Sequence, residues 1–545
     1  MQRMTGGQAL VASLYREGVR VVFGLPGVQL YGATAALRDE PRIRVITTRH
    51  EQATTYMADG YARAGGGIGV ALVVPGPGLL NASAGLSTAY SASSPVLVIA
   101  GQIPKAKIGQ NIGLLHEVND QLDAIAPVTK WRQRILEVAD IPAAVREAMR
   151  QLRTGRPRPV VIDIPPETLE DEGEVTLLDP APVERPPAPS AEIERAAARL
   201  TAARHPVIVA GGGVNLAGAH EALHAVAEHL QAAVVMTAEG KGAISDASDL
   251  SLGAALWPGS PVRLHLDRAD VVLAVGTRLA TVPFQAAQQV IQIDVDPQEI
   301  GRNHPGTHGL VGDARATLEH LAVRLRAAAA PRPSLRAERD AMRAATATAD
   351  DQEPQASIQR SLRAGTPPGA VMVGDMTQIG YHSRPFWPVY EPRTYLTSSY
   401  SGNLGYGFPT ALGAKIARPD RPVVCVAGDG GFLFNSQELS TAVRTNIPVV
   451  VVVFNDEAYG NVARDLDEAW GGSVGAGTDL ANPDFVRLAE AYGVTAFRAK
   501  EPTDVGDIVR EAIGLDRPVL IEVPVGRMPR PRFFAPRRAP KRLDR

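Results

Sequence analysis

Short apolar runs alternate along this chain with longer segments whose apolar positions recur every three or four residues, the rhythm of strands and helices in turn. Residues 5–18 carry the helical spacing, residues 21–23 read as a strand that ends in Gly24-Leu25-Pro26-Gly27, and residues 45–47 read as a second strand. A helix over about 51–64, a strand over 70–74, a helix after Asn81 and a strand over 95–100 continue the series. Strands alternating with helices in this way belong to a parallel sheet covered on both faces. A Pro- and acid-rich stretch, residues 167–189, breaks the rhythm and reads as a linker. Ser190 then caps a helix through Ala203, and a second block follows with strands at 207–209, 233–236, 271–275 and 290–293. Residues 327–354, with an Ala-, Arg- and Pro-rich run, read as a second linker holding a connecting helix, and a third block starts near Ala356. The expected fold class is α/β with three domains, each a mostly parallel sheet flanked by helices, over residues 1–168, 190–328 and 355–526. A basic, Pro-rich tail follows over 527–545, readable as a solvated strap or as a lid.

The third block carries the clearest chemistry. An apolar run at 423–427 breaks into Gly428-Asp429-Gly430-Gly431-Phe432, passes through a helical pattern, and closes on a second apolar run at 449–454 that ends in Asn455-Asp456. Strand, glycine turn, helix, strand makes one right-handed βαβ unit, whose parallel strands deliver both C-terminal ends to the same sheet edge. Asp429 and Asp456 then converge. Two neighbouring carboxylates repel unless a cation lies between them, and hard oxygen ligands suit Mg²⁺ or Ca²⁺. Mg²⁺ keeps coordination positions for phosphate oxygens, and the Gly430-Gly431 turn at a helix N-terminus presents free N–H groups to such an anion. Gly-Asp-Gly alone serves equally well as a tight turn with a capping aspartate; with Asn455-Asp456 the reading becomes a metal-bridged diphosphate site.

Composition narrows the class. At 545 residues the chain has room for about three domains, and 45% hydrophobic with 21% charged residues is globular. A formal net charge of −2 argues against nucleic acid as a partner. The single cysteine, Cys425, precludes an intrachain disulfide framework, fits a reducing compartment, and sits in an apolar strand as a core residue. No signal peptide and no membrane span are legible, so the expectation is a cytoplasmic protein without a membrane partner.

Gly428-Asp429-Gly430 followed by a strand ending in Asn455-Asp456 resembles the thiamine-diphosphate fingerprint of the acetolactate synthase and pyruvate decarboxylase superfamily. That resemblance implies thiamine diphosphate and Mg²⁺ as cofactors, with the side chains of Asp429 and Asp456 and the carbonyl of Ala458 as metal ligands. Asp456 stands where the family usually has a second Asn and keeps an oxygen ligand. The resemblance extends to the first block, where Gly24-Leu25-Pro26-Gly27, His50-Glu51, Tyr56 through Arg63, Gly76-Pro77-Gly78 with Asn81, and Gly101-Gln102-Ile103-Pro104 follow the order of the family's pyrimidine-binding domain. It implies that Glu51 hydrogen-bonds a ring nitrogen of the aminopyrimidine and drives it to the imino tautomer, which removes the proton from thiazolium C2. Pro26, Gly27, Gly76 and Asn81 line the pyrimidine side on the same basis. On the diphosphate side stand Thr377, Gln378, Gly428, Gly430, Gly431, Tyr459, Gly460, Asn461 and Val462, with Leu404 as the wedge that bends the cofactor. His116, in the loop where pyruvate decarboxylases carry paired histidines, is a candidate donor to a substrate carboxylate and equally a packing residue.

The resemblance is weaker for substrate. Pyruvate decarboxylases carry acids where Val28 and Val462 stand, while acetolactate synthases carry a tryptophan at Asp465 and an arginine at Val282. Flavin-carrying relatives use a Gly-Met-His-Gly-like turn where residues 253–259 stand here, so FAD is not expected. The implied function is decarboxylation of a 2-oxo acid with carboligation to an acceptor carbonyl, in a homodimer or homotetramer whose sites lie at the subunit interface. The alternatives are non-ligating decarboxylation of a larger or basic 2-oxo acid, and an inactive cofactor-binding or regulatory homologue.

Overall fold

The computed structural model describes residues 1–280 and 282–534; the end of the basic tail lies outside the described residues. Its first sheet holds strands β2 (Val21–Gly24), β3 (Arg44–Thr47), β4 (Gly69–Val73), β5 (Val96–Gly101), β6 (Trp131–Arg134) and β7 (Val160–Ile164). They lie side by side as β3-β2-β4-β5-β7-β6, every pair parallel. A small antiparallel ribbon of β1 (Gln2–Thr5) and β8 (Glu172–Val175) ties the N-terminus to the end of this domain. The middle sheet, from β9 (Pro206–Ala210), β10 (Ala233–Met236), β11 (Val271–Val275), β12 (Gln289–Asp294) and β13 (His308–Val311), is ordered β10-β9-β11-β12-β13, again all parallel. The third is built from β14 (Val371–Gly374), β15 (Tyr395–Thr397), β16 (Val423–Gly428), β17 (Val450–Asn455), β18 (Thr495–Arg498) and β19 (Val519–Pro524) in the order β15-β14-β16-β17-β19-β18. Counted within their own domains, the first and third sheets share one topology, 2-1-3-4-6-5.

These two domains pack through one helix from each. Glu51–Tyr61, which follows the second strand of the first sheet, lies against Gly407–Ala417, which follows the second strand of the third. The contact is reciprocal and backbone-close: a Cβ at Gly60 would sit 2.0 Å from the Thr410 carbonyl oxygen, and one at Gly413 2.0 Å from that of Met57. Around the crossing a single apolar cluster runs from Phe23, Tyr56 and Met57 through Tyr406, Phe408 and Leu412 to Cys425 and Phe432. The middle domain keeps its own core, centred on Ile208, Val234, Leu273 and Leu321. It meets the other two at Glu239, which accepts from Arg63 Nη2 at 2.8 Å and from the Thr397 hydroxyl.

The fold departs from the sequence reading in three places. The helix expected after Asn81 begins earlier, at Pro77, because proline fits the first helical position where its missing N–H costs nothing; Asn81 therefore lies inside Pro77–Ala92. The stretch read as linker from residue 167 first completes the helix Pro166–Glu170 and the strand β8, and only residues 176–189 are free of helix and strand. The tail expected to stay irregular has no helix or strand up to Phe534, yet it is packed: Arg530 Nη2 lies 2.9 Å from Asp465 Oδ1, and the Phe534 ring is 5.1 Å from Tyr381. No helix among the described residues is long and apolar enough to cross a membrane.

Candidate functional site

In an open parallel sheet the crevice for a ligand opens where the strand order reverses, beyond the C-terminal ends of the first and third strands. In the first domain those ends carry Pro26-Gly27 and Gly76, with Glu51 at the start of the helix after β3. Glu51 is the first residue of that helix, mostly buried, with its Oε2 accepting from Asn81 Nδ2 at 3.0 Å. The turn at Gly76 is held by Gln121, whose Oε1 accepts from the Gly76 N–H at 3.0 Å. Its other side lies against the backbone of His116, and a Cβ on Gly78 would stand 3.7 Å from Glu51 Oε1. His116 has a left-handed backbone (φ 68°) and its Nδ1 is 3.1 Å from Gln29 Oε1. Pro26, Gly27, Glu51, Gly76, Asn81 and His116 thus belong to one strand edge.

In the third domain the corresponding ends carry Thr377 and Gln378 after β14, and Gly428-Asp429-Gly430 after β16. Thr377 faces Gly428, within 3.5 Å of where a Cβ would stand there, and Gln378 Oε1 is buried without a partner among the described residues. Asp429 heads the short helix Asp429–Leu433 at 2% exposure, and Asp456 follows the end of β17. Burial pushes the Asp429 carboxyl up, and burial followed by the facing charge of Asp429 pushes Asp456 up to about 6. Neither carboxylate has an ion pair among the described residues. Room is tight: a Cβ on Gly460 would lie 2.1 Å from Asp456 Oδ2, and one on Gly430 2.7 Å from the Tyr459 ring. Asn461 caps nothing at the start of Gly460–Trp470 but accepts from Arg464 Nη2, while Val462 is about half exposed. Leu404 is half-buried beside Gly405, whose carbonyl accepts from Asn435 Nδ2 at 2.6 Å.

Asn482 is the residue that sequence reasoning missed. Its Nδ2 donates to Asp429 Oδ2 at 2.7 Å and to Asn455 Oδ1 at 2.9 Å, and its own Oδ1 is buried with no partner among the described residues. The chain around it staples the 456–460 turn through Tyr459 N to Thr478 O and Leu480 N to Glu457 O, both 2.8 Å. Asn482-Pro483-Asp484 reads only as a turn and helix cap, so no local signal announces the contact. Glu438 is a second omission: its carboxylate accepts from the N–H groups of Arg49 and His50 at 3.0 and 3.1 Å, locking the third domain to the residues just before Glu51. These donor sets fit the implied groups. Two facing, uncompensated carboxylates with an orphaned amide oxygen nearby suit a divalent cation, and among the described residues no cluster of three or more His, Cys, Asp or Glu offers a protein-only cage.

Family models match in the same three-part division: a thiamine pyrophosphate enzyme N-terminal TPP binding domain over residues 4–126, a central domain over 193–321, and a C-terminal TPP binding domain over 375–523. The chain belongs to the thiamine pyrophosphate enzymes. Full-length relatives place it among the acetolactate-synthase-like members. A probable acetolactate synthase large subunit of Methanococcus aeolicus is 32% identical, covering 95% of this chain and 92% of the relative. The acetolactate synthase isozyme 3 large subunit of Escherichia coli K12 is 34% identical over 94% and 93%. A probable 2-ketoarginine decarboxylase of Pseudomonas aeruginosa is 38% identical over 93% and 91%. This thiamine pyrophosphate enzyme therefore carries its two TPP binding domains on the first and third sheets, with the central domain between them in sequence.

Proposed function

We propose that this enzyme, with thiamine diphosphate and Mg²⁺ bound between two copies of the chain, removes CO₂ from a 2-oxo acid and transfers the remaining acyl unit to an acceptor carbonyl. The observation that carries the reading is the complementary pair of strand edges: a single carboxylate held by an amide at Glu51 and Asn81, and two uncompensated carboxylates at Asp429 and Asp456. Asp429, Asp456 and the Ala458 carbonyl would hold Mg²⁺, with Thr377, Gln378, Gly430 and Gly431 toward the diphosphate. Bound, the cofactor supplies the electron sink for loss of CO₂. Glu51 would share a proton with the pyrimidine through Oε1, the oxygen that Asn81 leaves unengaged. Support for a second copy comes from large apolar side chains left exposed near both edges, Val28, Leu80 and Leu115 on the first domain and Phe434 and Val462 on the third. Support for transfer over protonation comes from Val28 and Val462, apolar where simple decarboxylases of the family have acids.

One observation favours a second reading. Asp465 and Glu468, on the helix Gly460–Trp470, together hold the guanidinium of Arg530 at 2.9 and 2.6 Å. These carboxylates already pair with the chain's own Arg530 and Arg464, so the helix is one that accepts guanidinium groups, and a 2-oxo acid with a basic side chain would take the place of Arg530, in keeping with the name of the Pseudomonas relative. Product analysis separates the two. Incubation with pyruvate is expected to yield acetolactate, whereas release of 4-guanidinobutanal from 5-guanidino-2-oxopentanoate, with no ligation product from pyruvate, would establish the second reading. No CO₂ from either acid, with cofactor binding demonstrated, would refute both. We also infer that the middle domain carries no FAD, since residues 253–259 lack the flavin turn; flavin absorbance in the purified protein would overturn this.

A further inference from the structure

A cavity of about 680 Å³ opens in the third domain between the helix Gln355–Gly365, the end of the helix Gln378–Phe386 and the segment after it, sharing no lining residue with either half of the site above. Gln359 and Arg363, one turn apart on the first helix, both line it. Gln359 is 3% exposed, and its Oε1 has no partner among the described residues. Arg363 lies 5.1 Å from the ring centroids of both Trp387 and Tyr390, and its Nη1 donates to the Thr366 carbonyl. Among the described residues it has no carboxylate within ion-pair distance, and its Nε is buried without a partner. A stacked, half-buried guanidinium with no anion is prepared for a carboxylate.

The remaining walls specify the rest of the ligand. Asp350 supplies a carboxylate, with Oδ1 2.8 Å from His382 Nε2, and Ala364, Phe386 and Tyr390 supply apolar surface. Guanidinium, carboxylate and apolar wall in one cavity match a zwitterion with an apolar body. We propose that this cavity binds a free α-amino acid, its carboxylate on Arg363, its ammonium toward Asp350, and its side chain against Phe386 and Tyr390. The assignment is independent of the proposed reaction, and its test reads binding alone.

Calorimetric titration of the full-length protein with L-phenylalanine and L-leucine, up to about 10 mM, is expected to give saturable binding of at least one of them. Asp350→Asn and Arg363→Gln should each weaken it about tenfold or more, and Ala364→Trp, at an exposed rim position, should abolish it by filling the cavity. Phenethylamine, which lacks the carboxylate, and 3-phenylpropionate, which lacks the ammonium, should bind at least about tenfold more weakly than phenylalanine. No binding of either amino acid, equal binding of 3-phenylpropionate, or unchanged affinity in the folded Ala364→Trp protein would each overturn the proposal.

Discussion

The first and third domains share a strand order, a parallel sheet and a reversal of strand order at the same topological position, yet the residues there differ in chemistry. At the first, one carboxylate stands alone with an amide partner, Glu51 with Asn81. At the third, two carboxylates face one another and burial has pushed Asp456 up to about 6. The difference teaches that this scaffold decides where a ligand sits, while the few residues after each strand decide which part of it is held. A lone acid can share a proton with a ring nitrogen; a facing pair asks for a metal. The reciprocal Gly60 and Gly413 contacts then bring the two copies of the scaffold together within one chain.

That comparison can be broken at each of its halves. The largest effect is expected from Asp429→Ala, which leaves Asp456 without its metal and should abolish binding of thiamine diphosphate with Mg²⁺, read by calorimetry. Wild-type affinity in that variant would remove the metal from the third domain. Glu51→Gln should instead retain cofactor affinity and lose about 10²–10⁴ in turnover, with hydrogen exchange at C2 of the bound cofactor slowed in step. Exchange at the normal rate would mean that Glu51 has no part in the proton transfer. If the halves meet across two chains, mixing these two inactive variants restores part of the activity, because a hybrid dimer contains one intact site.

Smaller effects probe the joint between the halves. Gly413→Ala places a methyl group 2.0 Å from the Met57 carbonyl oxygen and is expected to cost about 1–3 kcal/mol of stability in urea unfolding. An unchanged midpoint would show that the helices are not in contact there. Glu438 gives a pH signature. Its carboxyl is pushed from 4.5 to about 7, chiefly by burial, so the folded chain holds a proton that the unfolded chain has released. Stability from this group is complete below the unfolded value and is lost as pH rises from about 4.5 through about 7. Thermal unfolding of the cofactor-free protein should therefore show a midpoint falling across that window, where Asp294, Asp375 and Asp456 are also raised to about 6, and Glu438→Gln should make the fall shallower.

Much of this protein is local in its sequence. Uninterrupted apolar runs such as Val423–Gly428 and Val450–Asn455 make buried parallel strands wherever they occur, and the glycine turn between them leaves Asp429 nowhere to go but the sheet edge. Three domains, their class and the facing of Asp429 and Asp456 follow from such runs, and so does the burial of Cys425. Polar edge strands escaped the same reading. Trp131-Arg132-Gln133-Arg134 has one strand-forming residue in four and is a strand only because β7 offers it a hydrogen-bonding edge. Contacts between distant segments lay beyond it for a different reason. Asn482 reaches Asp429 across 53 positions, Glu438 reaches His50 across 388, and Gly60 meets Thr410 through backbone atoms that carry no residue-specific mark. Side-chain periodicity reports which face of an element is buried; which other element covers that face is a property of the folded chain alone.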